Sequence, residues 1–330
     1  MEANSSQVTS KKTLINFSYI TGGNYNMKTN YEQIVDVTKI GKRSAADMNA
    51  IFTMAEQERF PAAVDDSPKR LLLAIDVQND FIEGGALAVP GSIGDVERIT
   101  RFIYNNMGGI SRIVCSLDTH IAHQIFHPCW WSNSEGAHPD PYTVITYDDV
   151  VAKRWRPVFG DPCDSIEYLK ELEKVGAGKK KLCIWPYHCI SGTDGGTLEN
   201  EFAKMVYFHS VARKSINRMI QKGTDLYSEM YGIIKPEYSK KNFINTTVLN
   251  YIVDYDEIYV VGEAASHCLM ESVKQIAEHY ANRPEITQKI TILEDCTSPI
   301  TGFEADTDAA FTNFKNSYGI KFAKSTDIKF

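Results

Sequence analysis

Several patterns that mark large protein classes are missing from this sequence. Its seven cysteines form no CxxC pair, and it has no Gly-x-Gly-x-x-Gly loop, no Walker-type phosphate loop and no Gly-x-Ser-x-Gly elbow. These absences argue against a dinucleotide-binding dehydrogenase, a kinase and a serine hydrolase. An odd number of scattered cysteines also argues against a disulfide framework and favours a reducing cytoplasm.

Basic charge and long apolar runs are also absent. The formal net charge is -7, whereas a general nucleic-acid binder normally presents a basic surface. No apolar run has transmembrane length, and the N-terminus has no apolar segment of the signal-peptide kind. With 43% hydrophobic residues, we expect a cytoplasmic globular protein that binds small molecules rather than nucleic acid or membrane. Homo-oligomer formation is left open.

The sequence predicts an N-terminal extension over 1–69 and one large domain over 70–330. Residues 1–26 are rich in Ser, Asn and Gly, which predicts a mobile arm. Residues 31–60 contain helical patterns, including one over 45–59. The role of this extension is not evident from its sequence.

Short apolar runs alternate with amphipathic helical patterns from residue 70 onward. The predicted strands are 70–76, 111–117, 181–185, 217–221, 256–262, 289–294 and 320–323, and the predicted helices are 92–106, 165–175, 197–206, 265–281 and 303–316. Near-continuous apolar strands separated by helices are typical of a parallel sheet covered on both faces. We predict a three-layer α/β/α sandwich with a mostly parallel central sheet of about six strands. Ligands bind beyond the carboxyl ends of such strands.

Cys268 is the best candidate nucleophile among the cysteines. It follows the apolar run 258–261 and a stretch of small residues, and it opens a helical pattern. A thiol at a helix N-terminus meets unpaired N–H groups and the positive end of the helix dipole, which lower its pKa. A buried, inert cysteine is the alternative interpretation.

A carboxylate and an ammonium stand at the ends of two other predicted strands. Asp76 follows the first strand, where partial burial would raise its pKa and let it exchange a proton with a thiol. Lys222 follows 217–221 and precedes Gly223. Its ammonium would stabilise a thiolate and the charge that develops on a carbonyl oxygen. Taken alone, Lys222 is more often an ordinary turn residue.

Asp118 and His120 follow the second predicted strand at positions i and i+2, so their side chains point the same way on an extended chain. His188 follows the next apolar run and is the third candidate metal ligand. Two histidines and a carboxylate suit Zn²⁺ or Fe²⁺ and leave coordination positions open. Three other histidines, interpreted as a loop anchor and two solvated residues, keep the ligand assignment open: His127, His123 and His138.

With these residues placed, the sequence resembles the isochorismatase-like cysteine hydrolase family, and most of all its nicotinamidase branch. Four blocks in the same order carry the resemblance: 75–81 with 84–91, then 118–120, then 185–189 with 192–195, then 222–223 followed by 262–268. The resemblance implies two sets of residues that agree with those argued above: the catalytic Asp76, Lys222 and Cys268, and the metal ligands Asp118, His120 and His188. It also implies a cis peptide bond at Glu263–Ala264, which would aim the N–H groups of Ala264 and Cys268 at one point as an oxyanion hole.

The resemblance implies hydrolysis of nicotinamide to nicotinate and ammonia through a thioester, with a divalent metal that orients the substrate. Zinc is expected, and iron or manganese are the alternatives. Phe81, Trp131 and Tyr227 are predicted to contact the substrate ring. Thr119, between two metal ligands, and the enlarged segment 129–160 depart from the family pattern, so another amide, carbamoyl or ureido substrate is an alternative. Two further alternatives are a metal-dependent hydrolase in which Cys268 is passive, and a non-catalytic binding module.

Overall fold

The computed structural model describes residues 27–44, 47–174 and 180–330. The helices are α1 (Tyr31–Ile34), α2 (Met48–Glu56), α3 (Ser92–Asn105), α4 (Tyr147–Val151), α5 (Pro162–Lys174), α6 (Asn200–Ala212), α7 (Thr246–Asp254), α8 (Cys268–His279), α9 (Pro284–Thr287) and α10 (Glu304–Tyr318). The strands are β1 (Arg70–Ile75), β2 (Arg112–Asp118), β3 (Trp131–Ser132), β4 (Val144–Ile145), β5 (Arg156–Pro157), β6 (Leu182–Cys183), β7 (Arg218–Lys222), β8 (Glu257–Gly262), β9 (Ile290–Leu293) and β10 (Lys321–Ala323). The arm predicted over 1–26, and residues 45–46 of the predicted helical pattern, lie outside the described residues.

Six parallel strands form the central sheet in the order β10-β9-β8-β1-β2-β7. The central strand β1 pairs with β8 on one side and β2 on the other, and Leu71 is in register with both Ile258 and Arg112. Every residue of β1 after Arg70 is buried, as expected for a strand that helices cover on both faces. Because the strands are parallel, their carboxyl ends lie along one edge of the sheet.

Side chains of β1 alternate between two apolar cores. Leu72 packs in the core that contains Ile99 of α3 and Phe202 of α6. Leu73 packs in the core that contains Ile252 of α7 and Val273 of α8. Helices therefore cover both faces of the sheet, and the predicted three-layer α/β/α sandwich is confirmed.

The predicted elements agree with the structure, apart from shifts at their ends, except in the segment 128–185 beyond the sheet and in helices α7 and α9, which were not predicted. The strand predicted over 181–185 is wrong as a member of the central sheet, because only Leu182–Cys183 is extended and it pairs antiparallel with Val144–Ile145. Its apolar side chains pack instead in a third core, around Trp130 and Trp131. Helix α7 was not predicted, although Asn245 caps its N-terminus by accepting a hydrogen bond from the N–H of Val248.

Residues of the predicted extension pack on the outer side of α3 and α6. Tyr31, Ile34 and Ile51 belong to the same core as Leu72. No helix in the described part of the chain combines the length and apolar composition that a membrane span requires.

Candidate active site

One pocket opens where the carboxyl ends of the central strands meet. Its walls combine apolar side chains with a few polar groups: Phe81, Leu87, Val89, Asp118, Trp185, His188, Glu229, Tyr231, Ala264, His267, Cys268 and Ile300. The position agrees with the rule that ligands bind at the carboxyl edge of a parallel sheet.

The structure brings Asp76, Lys222 and Cys268 together beside this pocket, and Cys268 lines it. Asp76 follows β1, Lys222 ends β7 and Cys268 begins α8. The Nζ atom of Lys222 lies 2.9 Å from Oδ2 of Asp76 and 3.6 Å from Sγ of Cys268. The hydroxyl of Ser116 donates a hydrogen bond of 2.6 Å to the other oxygen of Asp76. A carboxylate, an ammonium and a thiol from three separate elements thus lie together, and the thiol faces the pocket.

Burial dominates the protonation of these three groups. It raises the pKa of Asp76, which the Lys222 ammonium opposes. It also raises the pKa of the Cys268 thiol well above its usual value, so the lowered thiol pKa that we predicted from the helix N-terminus is wrong. Cys268 is only 6% exposed, and loss of hydration outweighs the helix dipole and the nearby cation. Lys222 remains charged, because Asp118 and Asp76 raise its pKa well above the usual value despite burial.

The turn between β8 and α8 is fixed by its glycine and by backbone hydrogen bonds. Gly262 has a φ of +110°, and a Cβ atom there would lie 2.0 Å from the carbonyl oxygen of Ile75. The N–H of Glu263 donates to that carbonyl at 2.8 Å, and the N–H of Ala265 donates to the carbonyl of Ser298 at 2.9 Å. Only glycine allows so close an approach of two backbones at positive φ.

Ala264 and Cys268 both line the pocket. The peptide bond between Glu263 and Ala264 is cis, as the resemblance implied. The N–H groups of Ala264 and Cys268 have no acceptor among the residues that the structure describes. Both groups are therefore free to donate to a substrate oxygen.

Asp118, His120 and His188 offer ligand atoms that lie within 4.8 Å of one another. The Nδ1 atom of His120 lies 3.1 Å from the carbonyl of Gly223, and that of His188 lies 2.8 Å from the carbonyl of Pro186. A carbonyl can only accept, so Nδ1 carries the proton in both rings and Nε2 is the atom that can bind a metal.

The electrostatics of this group suit a cation. Nε2 of His120 and Oδ1 of Asp118 are buried and lie 3.2 Å from each other, and neither has another hydrogen-bond partner among the described residues. Burial opposes ionisation of Asp118, yet His120 and Lys222 hold its pKa below the usual range. Burial and the neighbouring His120 lower the pKa of His188 to about 3, so its Nε2 lone pair is free at neutral pH. These three residues fit a divalent metal ion.

A second cluster of possible ligands, Asp76, Asp118 and Cys268, lies beside the first. Its space is taken by the ammonium of Lys222, which lies 2.9 Å from Asp76 and 3.0 Å from Asp118. The structure therefore favours the histidine-containing group as the metal site. The ring of His127 is close to that of His120, at 5.8 Å between centroids, while its Nδ1 anchors the loop to the carbonyls of Ile121 and Ala122.

Of the three predicted ring contacts, only Phe81 lines the pocket. Trp131 is fully buried, and its Nε1–H donates to the carbonyl of Ile125 at 2.6 Å. Tyr227 packs edge-on against Trp130, and its hydroxyl accepts from the N–H of Asp161. Both side chains have their polar groups satisfied within the outer wall of the site, so neither reaches the cavity.

Glu229 is a pocket residue that the sequence analysis missed. Its side chain is buried, and burial raises its pKa to about 7. One carboxylate oxygen accepts a hydrogen bond from the N–H of Met230. A polar residue soon after the end of β7 was the available signal, but the loop between Lys222 and α7 has no periodicity that would show which side chains turn inward.

The predicted substrate contacts did not include the aromatic side of the pocket. The ring of His267 packs against those of Trp185, Tyr231 and Phe303, at centroid distances of 5.7, 5.8 and 4.8 Å. Nε1–H of Trp185 donates to the hydroxyl of Tyr231. Such a wall suits a flat, partly apolar substrate.

The chain is similar in sequence to known nicotinamidases. No family model matches the chain. A nicotinamidase of Saccharomyces cerevisiae is 26% identical over 235 residues, which is 70% of this chain and 89% of that protein. A nicotinamidase/pyrazinamidase of Mycobacterium tuberculosis is 26% identical over 246 residues, 73% of this chain and 91% of that protein.

Two solved structures share the fold. The yeast nicotinamidase bound to the inhibitor nicotinaldehyde has a TM-score of 0.53 at 22% identity, covering 77% of this chain and 99% of that one. A nicotinamidase/pyrazinamidase of Acinetobacter baumannii has a TM-score of 0.51 at 19% identity, covering 79% and 98%. The chain is thus similar in sequence to curated nicotinamidases and shares the fold of solved nicotinamidase structures. These findings support the resemblance to the isochorismatase-like cysteine hydrolase family and to its nicotinamidase branch.

Proposed function

We propose that this protein is an amidohydrolase that cleaves nicotinamide to nicotinate and ammonia through a thioester on Cys268. The observation that carries the proposal is the meeting of Asp76, Lys222 and Cys268 at one pocket. The relatives reported above are nicotinamidases that align over about nine-tenths of their own length, which supports this substrate class. The aromatic wall around His267 supports a flat ring.

Acylation begins with transfer of the thiol proton from Cys268 to Asp76. Burial raises the pKa of both groups and keeps water away from them, so the proton passes directly between these neighbours. The sulfur then attacks the amide carbon, and the N–H groups of Ala264 and Cys268 hold the resulting oxyanion. Asp76 returns the proton to the amide nitrogen, the C–N bond breaks, and ammonia leaves.

Deacylation uses the same carboxylate a second time. Asp76 takes a proton from a water molecule, whose oxygen attacks the thioester carbon. The C–S bond breaks, nicotinate leaves, and the proton returns to the sulfur of Cys268. Lys222 stays charged throughout, because two carboxylates face it, and it stabilises the negative charge on Asp76 and on the sulfur.

Asp118, His120 and His188 would hold a divalent metal, and we propose zinc, since two imidazoles and a carboxylate suit it. Iron or manganese would fit the same donors. A bound metal would supply a Lewis acid that orients the substrate's ring nitrogen. We place the protein in the cytoplasm, since all seven cysteines are free thiols.

The test is ammonia release from nicotinamide by wild-type protein and by Cys268→Ala, with metal analysis of the same samples. We expect Cys268→Ala to lose turnover by about 10⁴-fold or more, since the attacking atom is gone, while its metal content and thermal unfolding stay near those of the wild type. Cys163→Ala, at an exposed cysteine on α5, is the matched control and should remain fully active.

Two outcomes would change the proposal. Substantial turnover by Cys268→Ala would mean that a metal-bound hydroxide is the nucleophile. Ammonia release from a carbamoyl or ureido compound, with none from nicotinamide, would keep the cysteine chemistry and replace the substrate. A wild-type protein that forms no acyl adduct with any of these compounds would be a binding module.

A further inference from the structure

Two carboxyl side chains lie against each other beneath the turn that carries Cys268. Glu263 is 0% exposed and Asp95, in the first turn of α3, is 1% exposed. Oδ1 of Asp95 accepts a hydrogen bond of 2.7 Å from Arg98. Oδ2 of Asp95 and both carboxylate oxygens of Glu263 are buried, and they form no hydrogen bond of good geometry within the described part of the chain.

A single proton on the two carboxyl groups would remove the repulsion between them. Two ionised carboxylates in contact, away from water, repel each other strongly, and one arginine compensates only one of them. If Glu263 is protonated, its O–H can donate to Oδ2 of Asp95, which gives both unpartnered groups a partner. Burial raises the pKa of Glu263 well above its usual value, and the neighbouring Asp95 raises it further. Burial also raises the pKa of Asp95.

The other groups around the pair do not remove the need for this proton. Among the residues that the structure describes, Arg98 is the one cation in contact with Asp95, and it also donates to the carbonyl of Asp295. The Asp295 carboxylate accepts from the N–H and hydroxyl of Ser325. Cys296 lies nearby as a neutral thiol, because burial raises its pKa. Ser298 carries no charge; its hydroxyl interacts with Asp95 and its backbone N–H with Glu263, and both contacts lower the pKa of these acids without reversing the effect of burial.

The position of Glu263 gives the pair a function. The N–H of Ala264, one proposed oxyanion donor, belongs to the peptide unit that Glu263 begins. Hydrogen bonds hold this unit at both ends, from the N–H of Glu263 to Ile75 and from the N–H of Ala265 to Ser298. The Glu263 side chain adds a third attachment, to α3. Glu263 is thus an ionisable side chain that directly follows the buried, uncharged residues 258–262 of β8.

We propose that Asp95 and Glu263 share one proton and that this carboxyl pair fixes the oxyanion-binding turn, so that both are positioning residues. The proposal rests on the proposed function of the turn. It assigns to α3, which contributes no residue to the pocket wall, a part in aiming the N–H of Ala264.

The test compares Glu263→Gln with Glu263→Met, which are similar in size. The Gln amide can donate to Asp95 as the protonated acid does, whereas Met cannot. We expect Glu263→Met to lower kcat by about 100-fold, the loss typical of a slightly misplaced reacting group, with KM near the wild-type value. Glu263→Gln should keep kcat close to the wild type. Glu97→Gln, at a partly exposed acid of α3 that pairs with Arg101, is the control.

A second readout isolates the oxyanion donors. Pyridine-3-carbaldehyde can add to the Cys268 sulfur and present an oxyanion to the turn, whereas nicotinate cannot form such an adduct. We expect Glu263→Met to weaken binding of the aldehyde far more than binding of nicotinate. Asp95→Asn and Asp95→Leu change the other member of the pair, on α3. They should behave like Glu263→Gln and Glu263→Met, respectively, so the test stays informative if Glu263→Met fails to fold.

Three results would overturn the inference. In the first, Glu263→Met and Asp95→Leu have wild-type kcat and aldehyde affinity. In the second, Glu263→Gln is as damaging as Glu263→Met, which would exclude the shared proton. In the third, the disruptive variants lose thermal stability while each folded molecule keeps full kcat. Absence of ammonia release by the wild type would instead contradict the proposed function.

Discussion

At the scale of single residues, Lys222 connects the two halves of the site. Its Nζ atom lies 2.9 Å from Asp76, 3.0 Å from Asp118 and 3.6 Å from the sulfur of Cys268, and it donates to the carbonyl of Met230. One ammonium thus faces both the candidate nucleophile and a candidate metal ligand. This contact keeps Asp118 ionised, and it separates the metal position from the thiol.

The candidate metal site gives a prediction at this scale. Replacing His188 by Ala removes one of three ligands, and we expect affinity for zinc to fall by at least about 10-fold, since loss of even an outer-sphere partner costs that much. KM for nicotinamide should rise with it, because the substrate ring loses its anchor. Zinc bound per chain, measured after dialysis against buffered free zinc, checks this.

The control for the metal prediction is His123→Ala. His123 is exposed and packs against Phe159 rather than against the candidate ligands. It should keep the zinc content and KM of the wild type. Unchanged zinc content in His188→Ala would contradict the assignment of this ligand.

At the scale of elements, the turn from β8 to α8 positions the cysteine. Gly262 ends β8 in a conformation that an L side chain rarely adopts, with the backbone of Ile75 directly against it. The turn is therefore determined both by its φ angle and by the approach of the central strand β1. The effect of the positive φ angle can be separated from that of the close contact, because Gly302 also has a positive φ angle but no atom close to the position of a Cβ.

Gly262→Ala and Gly302→Ala form that comparison. A Cβ at Gly262 would lie 2.0 Å from a carbonyl oxygen, whereas Gly302, at a φ of +92°, has open space around it. We expect Gly302→Ala to cost about 1 kcal/mol of unfolding free energy for its φ angle alone. Gly262→Ala should cost several kcal/mol or fail to fold, since the backbone of β1 must shift. Urea denaturation measures both, and equal costs would contradict the account.

The elements also show what the sequence could and could not predict. The apolar runs that became the sheet were readable because parallel strands buried on both faces have few polar residues. The polar residues at their ends, Asp76, Asp118 and Lys222, were readable for the same reason. The pairing of strands outside the central sheet could not be predicted in this way. By composition β6 looks like a strand of the central sheet, but it pairs with β4 in a separate sheet. The prediction of a lowered thiol pKa for Cys268 was wrong, because the depth at which a cysteine is buried cannot be read from its position at the start of a helix.

At the scale of the whole molecule, buried histidines make the stability of the fold depend on pH. His209 on α6 is fully buried, and its Nε2 lies 2.9 Å from the carbonyl of Ile110. Burial lowers its pKa to about 4 from an ordinary 6.5. Burial likewise lowers the pKa of His127 and His267 to about 4. The native protein therefore resists protonation at sites that the unfolded chain protonates freely.

We predict that stability falls as the pH drops from about 6.5 to about 4, because the unfolded chain binds more protons than the native state in this window. His209 alone accounts for up to about 3 kcal/mol by pH 4. In His209→Gln the amide can still donate to Ile110. The slope of the unfolding free energy against pH should be smaller in this variant, by the equivalent of about one bound proton. Urea denaturation across this pH range measures it. His279→Gln, at an exposed position at the end of α8, is the control, and an unchanged slope in His209→Gln would contradict the prediction.

The most direct measurement is rapid acid quenching of the wild-type protein during nicotinamide turnover, followed by peptide mass spectrometry. The account predicts a nicotinoyl group on the peptide that contains Cys268, formed and lost at rates compatible with ammonia release and absent from Cys268→Ala. Steady ammonia release with no acylated peptide at any time point, and with turnover retained in Cys268→Ala, would contradict the claim that this sulfur is the nucleophile.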